Sequence, residues 1–344
     1  MLVLAAMARI LKIAAAQLGP VHRDTPREQT LERLINLLRS AAQRGAALVV
    51  FPELAFTTFF ARHLFTNPTH LDAFFEHDPD ISQSNVTGPL FAEAQRLRVD
   101  ICVGYAEKTR EGRTFNSAIY YSAKLSQVVT KYRKVHIPGT REPVPDKMAT
   151  NHLEKRYFEP GDLGFRAFRV PGLISLSDST QTTCSVEDPI LGMLICNDRR
   201  WPEAWRCYGL QGVELVLCGY NTPGYNPHFW GTRETISPEK ATSTTLAQHK
   251  LVMQANSYMN SCFSVAAGKA GIEDGRYDLI GGSCIVDPEG QILAQALTTD
   301  DEVVFAEIDL DACRQGKENI FNFAQHRMVE TYQRIVDQVG VIPP

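Results

Sequence analysis

The chain has 344 residues, 44% hydrophobic and 22% charged, with a formal net charge of −4. That balance excludes a disordered chain and suits one large α/β domain or two medium ones. No basic tract interleaved with aromatics and no apolar run of membrane-spanning length occurs, so a nucleic acid or a membrane is not an expected partner and a small molecule is.

The eight cysteines, Cys102, Cys184, Cys196, Cys207, Cys218, Cys262, Cys284 and Cys313, are scattered with no Cys-x-x-Cys pair. This pattern predicts reduced thiols in the cytoplasm, not a disulfide framework or a zinc site. The nine histidines show no His-Glu-x-x-His spacing, so no metal site is expected. Met1 to Met7 is mildly apolar with no preceding positive charge, which makes a poor signal peptide; residues 1–9 read as an N-terminal extension.

Ile10 to Gln17 reads as a first strand of small and β-branched residues. Thr25 and Glu28 have capping-box spacing, and a helix with Pro26 at its first position is expected to run to Gly45. Ala47 to Phe51 is a buried strand that Pro52 stops, which aims Glu53 out of the sheet end. Thr57 to Asp80 is rich in aromatics and histidine, and reads as a packing segment or as a loop that lines a pocket. A helix over 90–97 and strands over 101–106, 116–121 and 128–132 complete a sheet covered by helices on one face.

The run from Lys131 to Gly139 ends that last strand with a basic cluster. Such clusters are commonly solvated faces, so Lys134 as a functional lysine is the sharper and rarer reading. Residues 173–188 form a Ser/Thr-rich patch expected as a loop. A strand of about six residues spans about 20 Å, which puts the patch at the sheet end opposite Cys196.

Met193-Leu194-Ile195 is an apolar run that delivers one thiol, Cys196, followed by polar residues and then Pro202-Glu203, a helix start. A lone cysteine at the end of an apolar run is ordinarily structural. Here Arg199, Arg200 and the helix start favour a thiolate, and the nucleophile reading stands beside the structural one. A further buried strand, 214–218, ends in the polar Gly219 to Gly224. A loop with Trp230, a helix over 238–260, strands over 264–267, 281–286 and 303–308, and a hairpin turn at 287–290 follow.

Glu53, Lys134 and Cys196 thus each stand at a strand end. Phe-Pro-Glu at 51–53, Tyr-Arg-Lys-Val-His at 132–136 and Ile-Cys-Asn-Asp-Arg-Arg-Trp-Pro-Glu at 195–203 resemble the three motifs of the nitrilase superfamily of carbon–nitrogen hydrolases. More narrowly, residues 152–164 (His-Leu-Glu-Lys-Arg-Tyr-Phe-Glu-Pro-Gly-Asp-Leu-Gly), 219–223 (Gly-Tyr-Asn-Thr-Pro) and 321–327 (Phe-Asn-Phe-Ala-Gln-His-Arg) look like N-carbamoyl-D-amino-acid hydrolases. The resemblance spans Ile10 to Gln333. It departs at the long 173–188 patch and at the loop from Gly224 to Glu239, which leaves oligomer contacts and side-chain preference open.

The resemblance implies a single domain over 1–344 with a four-layer α-β-β-α sandwich of the nitrilase type. It implies hydrolysis of N-carbamoyl-D-amino acids through a cysteine thioester, with another ureido acid, β-ureidopropionate-like, or an aliphatic amide as the alternative. Glu53, Lys134, Cys196 and Glu154 match catalytic positions. Arg199, Arg200, His136, His152, Asn197, Asn221 and Thr222 match substrate-binding positions, although any one of these histidines or turn residues is nearly as readily structural. No cofactor is implied, and a homodimer or homotetramer is, with the 312–344 tail at its contact.

Overall fold

The computed structural model describes residues 8–77, 80–145, 150–174, 185, 187–225 and 236–344. In chain order the first strands are β1 (Ile10–Gln17), β2 (Leu48–Val50), β3 (Asp100–Lys108), β4 (Thr114–Ser122), β5 (Gln127–Arg133), β6 (Phe168–Arg169) and β7 (Ile190–Ile195). The rest are β8 (Leu215–Tyr220), β9 (Phe263–Gly268), β10 (Ala270–Glu273), β11 (Tyr277–Ile280), β12 (Cys284–Val286), β13 (Ile292–Gln295) and β14 (Glu302–Asp309). One six-stranded sheet has the order β14-β1-β2-β3-β4-β5, a second the order β13-β12-β9-β8-β7-β6, and β10 pairs with β11 alone.

Side chains alternate across each strand with period two, and this builds the layers. Leu11, Ile13, Ala15, Leu48, Val50 and Cys102 face a shared core with Met193, Ile195, Leu215, Leu217 and Val265 of the second sheet. The intervening Ala14, Ala16, Val49, Ile101 and Val103 face the helices Arg27–Gln43 and Gly88–Leu97. On the far side of the second sheet, Trp205, Tyr208 and Met253 bring in the helices Pro202–Gly209 and Pro238–Asn260. The result is an α-β-β-α sandwich.

Parallel pairing runs through β1, β2 and β3 in one sheet and through β7, β8 and β9 in the other. Residues that follow β2, β7 and β8 therefore leave at carboxyl ends of parallel strands, where ligands of open α/β sheets bind. β5, twice antiparallel from β3, delivers its own C-terminal end to the same edge.

Most expected elements form, with differences at the edges. The Thr25–Glu28 capping box does not: the Thr25 hydroxyl instead accepts from His22 N–H at 3.0 Å, and Pro26 caps the helix with no side-chain bond. The strand expected over 281–286 is shortened to Cys284–Val286, because Gly281 and Gly282 at φ 56° and 75° turn the chain between β11 and β12. The short strands β10 and β13 escaped the sequence reading because half-exposed edge strands carry no strong apolar run. The turn at 287–290 does join β12 to β13, with Asp287 N–H donating to Gln291 O at 2.9 Å.

Residues 1–7 of the N-terminal extension, 175–184 and 186 of the Ser/Thr-rich patch, and 226–235 with Trp230 lie outside the described residues. The flanks of the patch are described. Gly172 and Ser185 N–H both donate to the Asp188 carboxylate, at 3.0 and 2.7 Å, just before β7 and at the opposite end from Cys196.

Candidate active site

The backbone around Glu53 is squeezed between two sheets. A Cβ on Gly104 of β3 would stand 2.8 Å from Glu53 Cα, and one on Gly219 of β8 would stand 2.7 Å from Glu53 N. Only glycine admits so close an approach at either position. Leu54, next in the chain, takes φ 47°, and Cys196 takes φ 49°, so both strand ends turn sharply through the left-handed region. The turn after Cys196 is held by Asp198, a buried carboxylate that accepts from Tyr132 hydroxyl at 2.7 Å, Ile195 N–H at 3.2 Å and His136 N–H at 2.8 Å.

Glu53, Lys134 and Glu154 are all fully buried. Lys134 Nζ donates to Glu53 Oε1 at 2.8 Å and to Glu154 Oε2 at 2.6 Å. Asn116 Nδ2 donates to Glu53 Oε1 at 2.7 Å, while Asn221 N–H and Nδ2 donate to Glu53 Oε2 at 2.9 and 3.2 Å. His152 Nε2 lies 2.8 Å from Glu154 Oε1, and Cys196 Sγ donates to Asn221 O at 3.1 Å. Lys131 and Arg133, the other cations of the basic run, pair outward with Glu107, both at 2.7 Å.

Charge states follow from this packing. Burial alone would drive the proton off Lys134, but Glu154, Glu53 and Cys196 outweigh it and hold the ammonium well above the usual lysine range. Burial also raises Glu154, yet Lys134 and His152 overcome it and leave that carboxyl low. Burial, followed by Glu53, raises the Cys196 thiol against the smaller pulls of Lys134 and Arg199. The pull toward a thiolate that Arg199 supplies is thus outweighed by desolvation, and the thiol stands above its ordinary value. A buried thiol beside a carboxylate and a fixed ammonium can add to a carbonyl only if the carboxylate takes the proton.

The two adjacent arginines part company. Arg199 is fully buried: Nη1 donates to Cys196 O at 2.6 Å, Nη2 to Thr222 Oγ1 at 2.7 Å and Nε to His249 Nδ1 at 3.2 Å. Its guanidinium also lies 4.6 Å over the Tyr220 ring. Arg200 is exposed, with Nη1 3.4 Å from Asn197 Oδ1, and the charge of Arg199 together with desolvation lowers it to about 10, still a cation at neutral pH. Asn197 Nδ2 donates to His136 O at 3.1 Å, and the His136 ring stacks on Trp201 at 4.9 Å.

The carbon-nitrogen hydrolase family model matches residues 12–318. The chain belongs to the carbon-nitrogen hydrolase family. It is 27% identical to a nitrilase of Pyrococcus abyssi, over 91% of this chain and 95% of that one. It is 28% identical to an N-carbamoylputrescine amidase of rice, Oryza sativa, over 89% and 88%. The crystal structure of a carbon-nitrogen hydrolase from Helicobacter pylori superposes with a TM-score of 0.75 at 24% identity, covering 96% of this chain and all of that one.

In this carbon–nitrogen hydrolase the structure gathers Glu53, Lys134, Glu154, His152 and Asn221 into one bonded cluster, with Cys196 attached through Asn221. Thr222 joins through Arg199, and His136 through Asp198 at 2.8 Å from its Nδ1. Asn116, Asp198 and His249 are participants that the sequence reading missed. Asp198 lies inside the 195–203 motif already quoted, and a buried polar residue within a motif was the available signal; Asn116 stands in β4, away from every quoted motif. Nothing local distinguished His249, halfway along the Pro238–Asn260 helix.

Proposed function

We propose that this carbon–nitrogen hydrolase converts N-carbamoyl-D-amino acids and water to the D-amino acid, carbon dioxide and ammonia. The observation that carries the reading is the buried Glu53–Lys134–Glu154 cluster beside a protonated Cys196, with the exposed Arg200 close to it. Glu53 takes the thiol proton as sulfur adds to the ureido carbon. The tetrahedral oxyanion rests on the Lys134 ammonium and on Asn197 N–H, which opens a short helical turn where a backbone N–H has no partner within the helix. Glu53 then returns the proton to the departing amine, and activates the water that cleaves the thioester. Glu154, bonded to Lys134, orients the ammonium.

The substrate carboxylate goes to Arg200, because a guanidinium binds a carboxylate through two parallel bonds and that of Arg199 is already engaged within the protein. His136, His152, Asn221 and Thr222 then act around the substrate through the partners described above. The same reading places the enzyme in the cytoplasm as a homodimer or homotetramer, joined through the 312–344 tail, where Val336, Val339 and Val341 are exposed. It needs no cofactor.

The test is amino-acid release from D- and L-forms of several N-carbamoyl amino acids, with N-carbamoyl-β-alanine, N-carbamoylputrescine and a simple amide alongside. The Cys196→Ala protein is the control. Release from the D-forms alone, lost in the control, is the expected result. Turnover of the β-ureido acid, the amine or the amide alone would keep the chemistry and overturn the substrate.

A further inference from the structure

The left-handed turn at Cys196 needs a hold from outside its own strand. A non-glycine residue at φ 49° costs free energy and persists only where its surroundings fix it. Arg199 Nη1 donates to the Cys196 carbonyl at 2.6 Å and Nη2 to Thr222 Oγ1 at 2.7 Å, so one guanidinium ties the end of β7 to the end of β8. The residue before Thr222 is Asn221, which accepts from the Cys196 thiol at 3.1 Å and donates to Glu53 at 2.9 Å. A rotation of Arg199 would therefore move the thiol relative to Glu53.

Arg199 is itself held by a histidine. The Pro238–Asn260 helix buries His249, Met253, Asn256 and Asn260 at helical spacing along one face, and His249 is 2% exposed. Its Nδ1 lies 3.2 Å from Arg199 Nε, and its ring tilts against the Tyr220 ring at 4.6 Å, the ring that Arg199 itself overlies. A guanidinium keeps its proton, so Nε is the donor and Nδ1 offers its lone pair. The imidazole is then neutral, with its hydrogen on Nε2, 3.7 Å from Cys284 Sγ. Burial and the charge of Arg199 act in the same direction, lowering His249 well below the usual histidine range. Among the described residues no carboxylate pairs with Arg199. The acceptors that meet its charge are Cys196 O, Thr222, the Tyr220 ring and His249.

We infer that His249 is a positioning residue of this active site: its Nδ1 lone pair fixes Arg199 in the one arrangement that holds the Cys196 turn against the end of β8. The inference rests on the Cys196 chemistry proposed above. It gives His249 no contact with substrate.

The experiment compares His249→Asn, His249→Gln and His249→Leu with the unaltered enzyme. Asparagine carries its carbonyl oxygen on Cγ, where histidine carries Nδ1, so it can still accept from Arg199. Glutamine carries its oxygen one bond further out, and leucine has no acceptor. The first readout is the rate at which iodoacetamide alkylates Cys196, followed by peptide mass spectrometry. In that step sulfur displaces iodide and the thiol proton passes to Glu53, so the rate reports how the two groups are placed without any turnover. It is expected to fall about tenfold or more in the leucine and glutamine variants, and to recover most of that loss in the asparagine variant.

The second readout is hydrolysis, where kcat should fall in the same order with KM little changed. An asparagine variant no faster than the glutamine variant, or rates that merely follow the melting temperatures, overturns the inference and leaves His249 a packing residue. Should His249→Leu fail to fold, the comparison of asparagine with glutamine decides alone. The expected order of alkylation rates, without release from any N-carbamoyl-D-amino acid, would keep the role of His249 and overturn the substrate.

Discussion

Two lysines, Lys134 and Lys269, are equally buried, with no exposed surface, and flank the same short segment after Glu53. Lys134 touches two carboxylates, and its proton is held more tightly than in water. Lys269 donates to the Thr57 carbonyl. Burial lowers it to about 8, Glu273 restoring part of the loss and Arg62 adding to it. Burial by itself therefore does not set the charge of an interior lysine; the count of opposing carboxylates does. The proposed chemistry needs a permanent cation, and of these two lysines Lys134 has the environment that provides one.

The largest expected effect tests the first lysine. Lys134→Met removes the proposed oxyanion donor and leaves Glu53 and Glu154 buried without their cation. Turnover should fall by about 10²–10³-fold or more, and stability by about 3–5 kcal/mol, read by steady-state kinetics and urea denaturation. Wild-type turnover in this variant would dismiss the mechanism.

Next in size is Gly219→Ala. Its new Cβ would lie 2.7 Å from Glu53 N and 2.8 Å from Phe51 O, so the strand end must shift. A cost of about 1–3 kcal/mol is expected, with a drop in kcat that exceeds any change in KM. An unaltered melting curve and kcat would show that the close approach is not needed.

Lys269→Met should be much gentler. Replacing a poorly compensated buried cation by an apolar side chain is often neutral or stabilising, by about 1–4 kcal/mol for whole buried ion pairs, and kcat should stay within about tenfold. Loss comparable to Lys134→Met would erase the contrast between the two lysines.

The smallest effect is a pH dependence of opposite sign at the two sites. The folded pKa of Lys134 is raised, so its stabilisation is complete below the unfolded value of 10.5 and is lost only as pH climbs through the higher folded value. Lys269 is lowered from 10.5 to about 8, so between those values the unfolded chain binds more protons and stability rises with pH. Wild-type stability relative to Lys269→Met should increase from pH 8 to pH 10, measured by urea midpoints. A flat difference would mean that Lys269 keeps its ordinary pKa.

Much of the frame was legible because apolar periodicity is a local property. β1 and the Pro238–Asn260 helix begin and end where the residue pattern places them. The family motifs marked Glu53, Lys134, Glu154 and Cys196 one by one, and the structure brings the first three into direct contact. The capping box failed because the Thr25 hydroxyl found a nearer partner, and β10 and β13 went unseen because short, half-exposed strands carry no strong apolar run.

The arginine pair shows where reading by spacing stops. Arg199 and Arg200 differ by one position, and both suit a carboxylate. One turn of 3-10 helix, Cys196–Arg200, points the first into Thr222, His249 and the Tyr220 ring and leaves the second exposed. The same holds for Arg62, which carries no motif; its partners, Glu273 and the Tyr277 ring, lie far away in the chain.

The sequence by itself determined the α/β class, the strand ends that bear polar residues, and membership of a hydrolase family, because each is written in residues close together or in motifs. Only the tertiary structure decided the protonation of Cys196, the opposite fates of two buried lysines, and which of Arg199 and Arg200 stays exposed. Those depend on desolvation and on partners up to hundreds of residues apart, as with Glu53 and Asn221 at a separation of 168. Interactions of that kind exist only once the two sheets have closed over the site.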